Sequence, residues 1–175
     1  MAQAPHRACE RLDCVSTSMF DDVPLAWADV AARFATEPCW WIGTTGSSGP
    51  HAVPIWGVVV DDVLYFYGEP DTLRSRHIVA DNRIVLHLPD PMDVLVVKGK
   101  ATPGPAMRER ADLCDAYREK YRSDDDRRWL PDAPGMENAL VFTVEPRRAI
   151  AFRPADADVW SRWVWVAADT SGRGS

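Results

Sequence analysis

The sequence predicts a mainly β domain, a barrel or sandwich with a few helices at its periphery. Three observations predict it. Seven or eight segments read as strands, rich in branched and aromatic residues. Only two or three segments carry helical spacing, too few to supply the crossovers of a doubly wound sheet. Most joints are short and carry Gly, Asp or Pro, as antiparallel meanders require. No GxGxxG or P-loop pattern is present.

In chain order, residues 1–20 have no clear period and are expected to be a mobile tail, followed by one domain over 21–168. "DVPLAWADVAARFA" spaces Leu25, Ala28, Val30, Ala31 and Phe34 for a short helix. "CWWIGTT" reads as a strand, "GSSGP" as a turn, "HAVPIWGVVV" as a second strand, and "DD" as the turn into "VLYFY". "PDTLRSRH" follows as a turn that opens a helix. "RIVLHL" and "VLVVKGKAT" are the next strands, joined by "PDPMD". "PAMRERADLCDAYREKYR" is the clearest helix: Pro105 suits a first turn, and Met107, Ala111, Cys114, Tyr117 and Tyr121 form a stripe. A polar loop leads to three last strands, "NALVFTVE", "RAIAFR" and "VWSRWVWV", and residues 169–175 are expected to fray.

Composition narrows the function. With 20 Lys and Arg against 26 Asp and Glu, the net charge is −6, which disfavours a nucleic-acid partner. Cys9, Cys14, Cys39 and Cys114 form no CxxC and have no histidine at ligand spacing, so no metal site is expected and the thiols suit a reducing compartment. The first twenty residues lack the apolar stretch of a signal peptide, and no apolar run approaches the ~20 residues of a membrane span. The expectation is a cytoplasmic protein without a membrane partner.

Three stretches could carry chemistry. In "HAVPIWGVVV" the even positions (Ala52, Pro54, Trp56) and the odd ones (His51, Val53, Ile55) are both largely apolar, so both faces should be covered. Pro54 donates no ladder hydrogen bond, which places the strand at an edge or bulge. A flat ring could lie on that free edge; a plain edge strand is the other reading. In "DTLRSRHI", Asp71, Thr72 or Ser75 can cap a helix. Arg74 and Arg76 would lie about 200° apart in a regular helix, so they converge on one anion only if the helix begins near Ser75. The stretch is then either a phosphate or carboxylate cradle or a solvated basic face. In "VWSRWVWV", Trp163 and Trp165 share one face and could stack a planar ligand, seal an interface or fill the core. No GxSxG or Cys–His pattern offers a nucleophile, and no catalytic residue is assigned. An anion cradle, a flat strand and aromatics suit hydride transfer by a bound cofactor, which brings the chemistry with it.

These stretches in this order resemble the pyridoxamine phosphate oxidase-like family of flavin and deazaflavin split-barrel proteins. The residues carrying the likeness are "GSSGPHAVPIWGVVVDDVLYFYGEPDTLRSRHIVADNRIVLHL", "VLVVKGKA" and "SRWVW". The resemblance implies an antiparallel split β-barrel of the FMN-binding type, paired as a homodimer with cofactor in clefts between the subunits. It implies that His51, Ala52, Val53 and Pro54 lie along the ring system, and Trp56 on the same run is a further candidate for cofactor contact. It also implies that Thr72, Arg74 and Arg76 hold the phosphate, with the Ser75 hydroxyl of the helix start a further candidate, and that Arg162 and Trp163 contribute from the chain end. Arg74 stands where lysine is common, His77 where asparagine is frequent, and Asn82–Arg83 where Asn-Pro is frequent. FMN and coenzyme F-420 both fit the pattern, with a small conjugated organic molecule as substrate. Related members bind haem or act without a cofactor.

Overall fold

The computed structural model describes residues 15–16, 27–123, 127, 130–131, 133–136, 138–152 and 160–164. Its elements run β1 (Val15–Ser16), α1 (Trp27–Thr36), β2 (Trp40–Gly46), β3 (Gly49–Ile55), β4 (Gly57–Val60), β5 (Val63–Gly68), α2 (Leu73–Ala80) and β6 (Arg83–His87). They continue with β7 (Val94–Ala106), a 3₁₀ turn (Met107–Glu109), α3 (Ala111–Lys120), β8 (Leu140–Phe152) and β9 (Trp160–Val164). Within the expected tail, Val15–Ser16 pairs with Ser161 and Arg162; the rest of that tail, Leu25 and the expected fraying end lie outside the described residues.

All pairings are antiparallel, in the order β1-β9-β8-β7-β6-β2-β3, with β4 on β5 and β5 on β8. The start of β8 pairs with β5 while its far half pairs with β9, so the sheet curls into a split barrel. Trp40, Ile42, Leu64, Phe66, Leu86, Leu95, Val97 and Phe142 fill it. A second cluster lies under α3, built from Val58, Met107, Leu113, Tyr117, Tyr121 and Val141.

Three elements differ from expectation. The run His51–Val60 is two strands broken at Trp56, and the chain turns a corner there from one side of the barrel to the other. Gly57 permits the corner because a Cβ would overlap the Trp40 indole. The two strands expected over 138–153 are one, β8, with a bulge. Lys98 faces Arg148 and Gly99 faces Pro146, so Arg147 is the extra residue. Pro146 cannot donate to a ladder and is tolerated at the bulge. Pro105 lies inside β7, one residue before its end at Ala106, rather than opening a helix, and α3 starts at Ala111.

The corner is pinned from α3. The Tyr121 hydroxyl accepts from Gly57 N–H and donates to the Gly57 carbonyl, each at 3.0 Å. The Lys120 ammonium donates to the Gly57 carbonyl at 2.8 Å and to the Phe34 carbonyl at 3.1 Å, above the Trp40 and Tyr121 rings. Burial outweighs Glu37 and Cys39 and lowers the Lys120 pKa to about 8. An unfolded lysine titrates near 10.4, so between these values the unfolded chain binds the extra proton and stability rises with pH. Above pH 10 the buried Tyr117 phenol, held well above its ordinary value, reverses the slope. The expected gain from pH 7.5 to 9.5 is on the order of 1–3 kcal/mol in urea unfolding. Lys120→Met should flatten it, and comparing the two proteins separates the lysine from Cys39, whose raised pKa acts in the opposite sense. An equal pH slope in the variant would contradict this account.

Candidate functional site

Among the described residues β3 is an edge strand, paired only with β2. Pro54 sits on it without breaking a ladder, as the sequence requires. Its two faces are not equally covered, contrary to expectation. His51 and Val53 are half-buried and Ile55 is buried, whereas Pro50, Ala52 and Pro54 are exposed. Trp56 parts from this group. It stands at the corner, stacked on Tyr121 at 4.6 Å and 11°, and its carbonyl accepts from the Tyr117 hydroxyl.

α2 begins at Leu73 with Thr72 as its cap. The Thr72 hydroxyl donates to the Glu69 carbonyl at 3.0 Å, accepts from Ser75 N–H at 3.3 Å and lies 2.8 Å from the Ser75 hydroxyl. This start corrects the condition for convergence. Arg74 is already inside the first turn, so Arg74 and Arg76 point apart. Arg74 turns inward: one Nη donates to the Tyr67 carbonyl at 3.1 Å, and the guanidinium lies 5.8 Å from the Phe66 ring centroid. Burial lowers its pKa, and its Nε is buried with no hydrogen-bond partner among the described residues. Gly68 makes the room, since a Cβ there would come 2.5 Å from the Arg74 Nη. Arg76 faces solvent.

His77 ties α2 to the β2–β3 hairpin. Its buried ring lies 3.1 Å from the Thr44 hydroxyl and edge-on to His51 at 5.7 Å, and a Cβ on Gly46 would overlap it. These contacts make His77 a structural histidine.

Along β3, lined by the exposed Pro50 and Ala52 and by the half-buried His51, lies a cleft of about 540 Å³. Its walls come from β2, β3, β6 and β7, with Asp81 at the end of α2 and Arg83 at the start of β6. His51 and Ala52 line it; Thr72, Arg74, Ser75 and Arg76 do not. Gly43, Val85 and Lys98, which the sequence reading did not single out, do. The signal for Lys98 is the alternation in β7, where Leu95, Val97 and Ala101 are buried and Lys98 is exposed.

Arg162 and Trp163 stand on β9, opposite Ile150 and Ala149; their side chains lie outside the described residues. In the hydrogen-bonded order, four strands separate β9 from β3. Among the described residues no cluster of His, Cys, Asp and Glu could hold a metal, and no helix is long and apolar enough to cross a membrane.

The sequence profile of the pyridoxamine 5'-phosphate oxidase family matches residues 26–153. No curated protein matches the chain. Among solved structures, a conserved hypothetical protein of Mycobacterium tuberculosis superposes with a TM-score of 0.62 at 17% identity, covering 91% of this chain and 99% of that one. A FAD-binding protein of Mesorhizobium loti gives 0.56 at 12% identity, with 80% and 96% covered. A haem-binding protein of Mycobacterium smegmatis gives 0.56 at 15%, with 75% and 55% covered. At these identities the likeness concerns the fold.

Proposed function

The chain belongs to the pyridoxamine 5'-phosphate oxidase family, and from that premise we propose that it is a cytoplasmic, homodimeric oxidoreductase using FMN or coenzyme F-420. The reaction passes a hydride between the cofactor and a small conjugated organic molecule. The observation that carries this reading is the edge of β3 along His51–Pro54, which no other described strand covers. Backbone groups along that edge are open to the polar rim of a flat ring, which lies against the edge and leaves the exposed face of Ala52 uncovered.

The residues fit a phosphate-bearing group. The first turn of α2 offers the Thr72 hydroxyl and the positive end of the helix, and the Nε of Arg74, without a partner among the described residues, is a donor still to be used. The cofactor, when bound, supplies the hydride chemistry. The chain's part is to hold the phosphate, lay the ring along His51–Pro54 and exclude water. Arg162 and Trp163 belong to a second copy in this reading, because four strands lie between β9 and β3 within one chain. The outer face also has the character of an interface. Pro54, Trp41, His87, Val96 and Ile150 share one cross-strand row, with Trp41 and His87 stacked at 6.1 Å and 4°. Apolar side chains left half-exposed along one row suit an association site.

The absorption spectrum of the purified protein tests the reading, with titrations of FMN and coenzyme F-420 and light scattering beside it. The expected result is a dimer that binds one of the two. A Soret band, or a monomer indifferent to both cofactors, overturns it; the first outcome would match the haem-binding neighbour instead. Gly68→Ala adds a finer check. The new Cβ must push Arg74 off the Tyr67 carbonyl, so cofactor affinity should fall by about ten-fold, the equivalent of one charged hydrogen bond. The melting temperature should move little by comparison. A large melting shift with unchanged affinity would make Gly68 a packing residue only.

A further inference from the structure

We propose that the outer cleft is a binding site for a small planar carboxylate, with the ring on β2, β3 and β6 and the charge met by Lys98 and Arg148. One cross-strand row carries the case. Ala52 pairs with Gly43, Gly43 with Val85, Val85 with Lys98, and Lys98 with Arg148. Partners in register share a face, so five strands present three small apolar residues and then two cations in line. Strands lie about 4.8 Å apart, so the apolar part is roughly 10 Å across, the length of a fused two-ring system. Gly43 keeps this floor flat, for a Cβ there would come 2.6 Å from a Val85 methyl.

The charge balance selects the other end of the ligand. The carboxylate in the cleft wall, Asp81, is already held by Arg83, through Nε at 2.9 and 3.0 Å and Nη2 at 2.5 Å. That pair sums to zero and leaves Lys98 as the net charge of the lining. Lys98 and Arg148 are exposed, and no described acid pairs with either; the neighbouring Glu145 is held by Arg147. Two neighbouring cations without partners among the described residues, in a chain of net charge −6, are complementary to an anion. Both are long side chains that can reach back over the floor, and Arg148 offers a planar fork for a carboxylate. As the substrate class of the oxidoreductase, this carboxylate rests on the function proposed above. As an anion site, it stands on the cleft itself.

The test is a titration of the ¹⁵N-labelled full chain with 2-naphthoate, followed by amide shifts. The expected result is saturable shifts at Gly43, Ala52 and Val85. Affinity should fall roughly ten- to hundred-fold in Lys98→Glu, as for loss of a charge-assisted hydrogen bond, and less in Lys98→Gln. Uncharged 2-naphthol should bind as weakly to the parent as naphthoate does to Lys98→Glu. Cofactor affinity should be the same in parent and variants. Shifts mapping elsewhere, or equal naphthoate affinity in Lys98→Glu, overturn the site. So does a Lys98→Glu chain that turns monomeric while still binding naphthoate as the parent does, because Lys98 would then be an interface residue. If no redox cofactor binds but naphthoate behaves as expected, the anion site holds and only its role as a substrate site falls.

Discussion

Trp40→Ala is expected to lower the stability of the chain by about 3–5 kcal/mol, the cost of a fully buried large aromatic replaced by alanine. Trp40 has no exposed surface. Its ring meets Phe34 edge-on at 5.0 Å and 87°, covers Gly57, and lies 4.9 Å from the Lys120 ammonium. Its indole N–H donates to the Phe34 carbonyl at 2.8 Å. One side chain thus joins α1, the β3–β4 corner and α3. The cavity cannot close by local collapse, because the corner is already fixed by Tyr121 and Lys120. Urea unfolding measures the loss. A cost below about 1.5 kcal/mol, the range of a volume-conserving swap, would mean that the corner moves to refill the site. Trp40 pairs with Ile55 at the end of β3, so ligand binding on the edge should weaken as well.

The barrel was legible where local chemistry and the long-range partner agree. "VVVDDVLYF" reads as a hairpin, and Asp61 and Asp62 do adopt the left-handed conformation of its two-residue turn, with φ of 51° and 59°. Pro54 announced an edge, and β3 is one. Proline misled where a partner strand tolerates it. Pro146 reads as a break between strands, yet β7 carries it past as a bulge, helped by Gly99, where a Cβ would strike the Glu145 carbonyl. The corner at Trp56 was hidden because its cause is remote: Trp40 and Tyr121 act on Gly57 from 17 and 64 residues away. The same limit governs the site. Three residues could cap α2, and only the fold selects Thr72, which moves Arg74 into the helix. The row from Ala52 to Arg148 exists only in register, across five strands that no local pattern aligns.

The Arg74→Ala, Arg76→Ala double variant should lose two to four decades of cofactor affinity, on the order of 3–6 kcal/mol if each arginine contributes one charged hydrogen bond. The structure makes the two contributions unequal. Arg74 is half-buried beside the Thr72 cap with an unused Nε, so it needs only to exchange the Tyr67 carbonyl for a phosphate oxygen. Arg76 is exposed and about 200° further round the helix, so it must reach back or serve a more distant oxygen. Arg74→Ala alone should therefore cause most of the loss, and the two effects need not add. Without cofactor, Arg76→Ala should leave the unfolding midpoint in place, because an exposed cation contributes little. Arg74→Ala should lower stability by about 1 kcal/mol through the lost hydrogen bond to Tyr67. The binding of FMN or coenzyme F-420 should also depend less on salt in the double variant, since fewer charges meet the phosphate. Isothermal titration of parent, single and double variants at two salt concentrations reads all of this. Undiminished affinity in the double variant would return Arg74 to a purely structural part, bracing α2 against β5, and leave Arg76 a solvated charge.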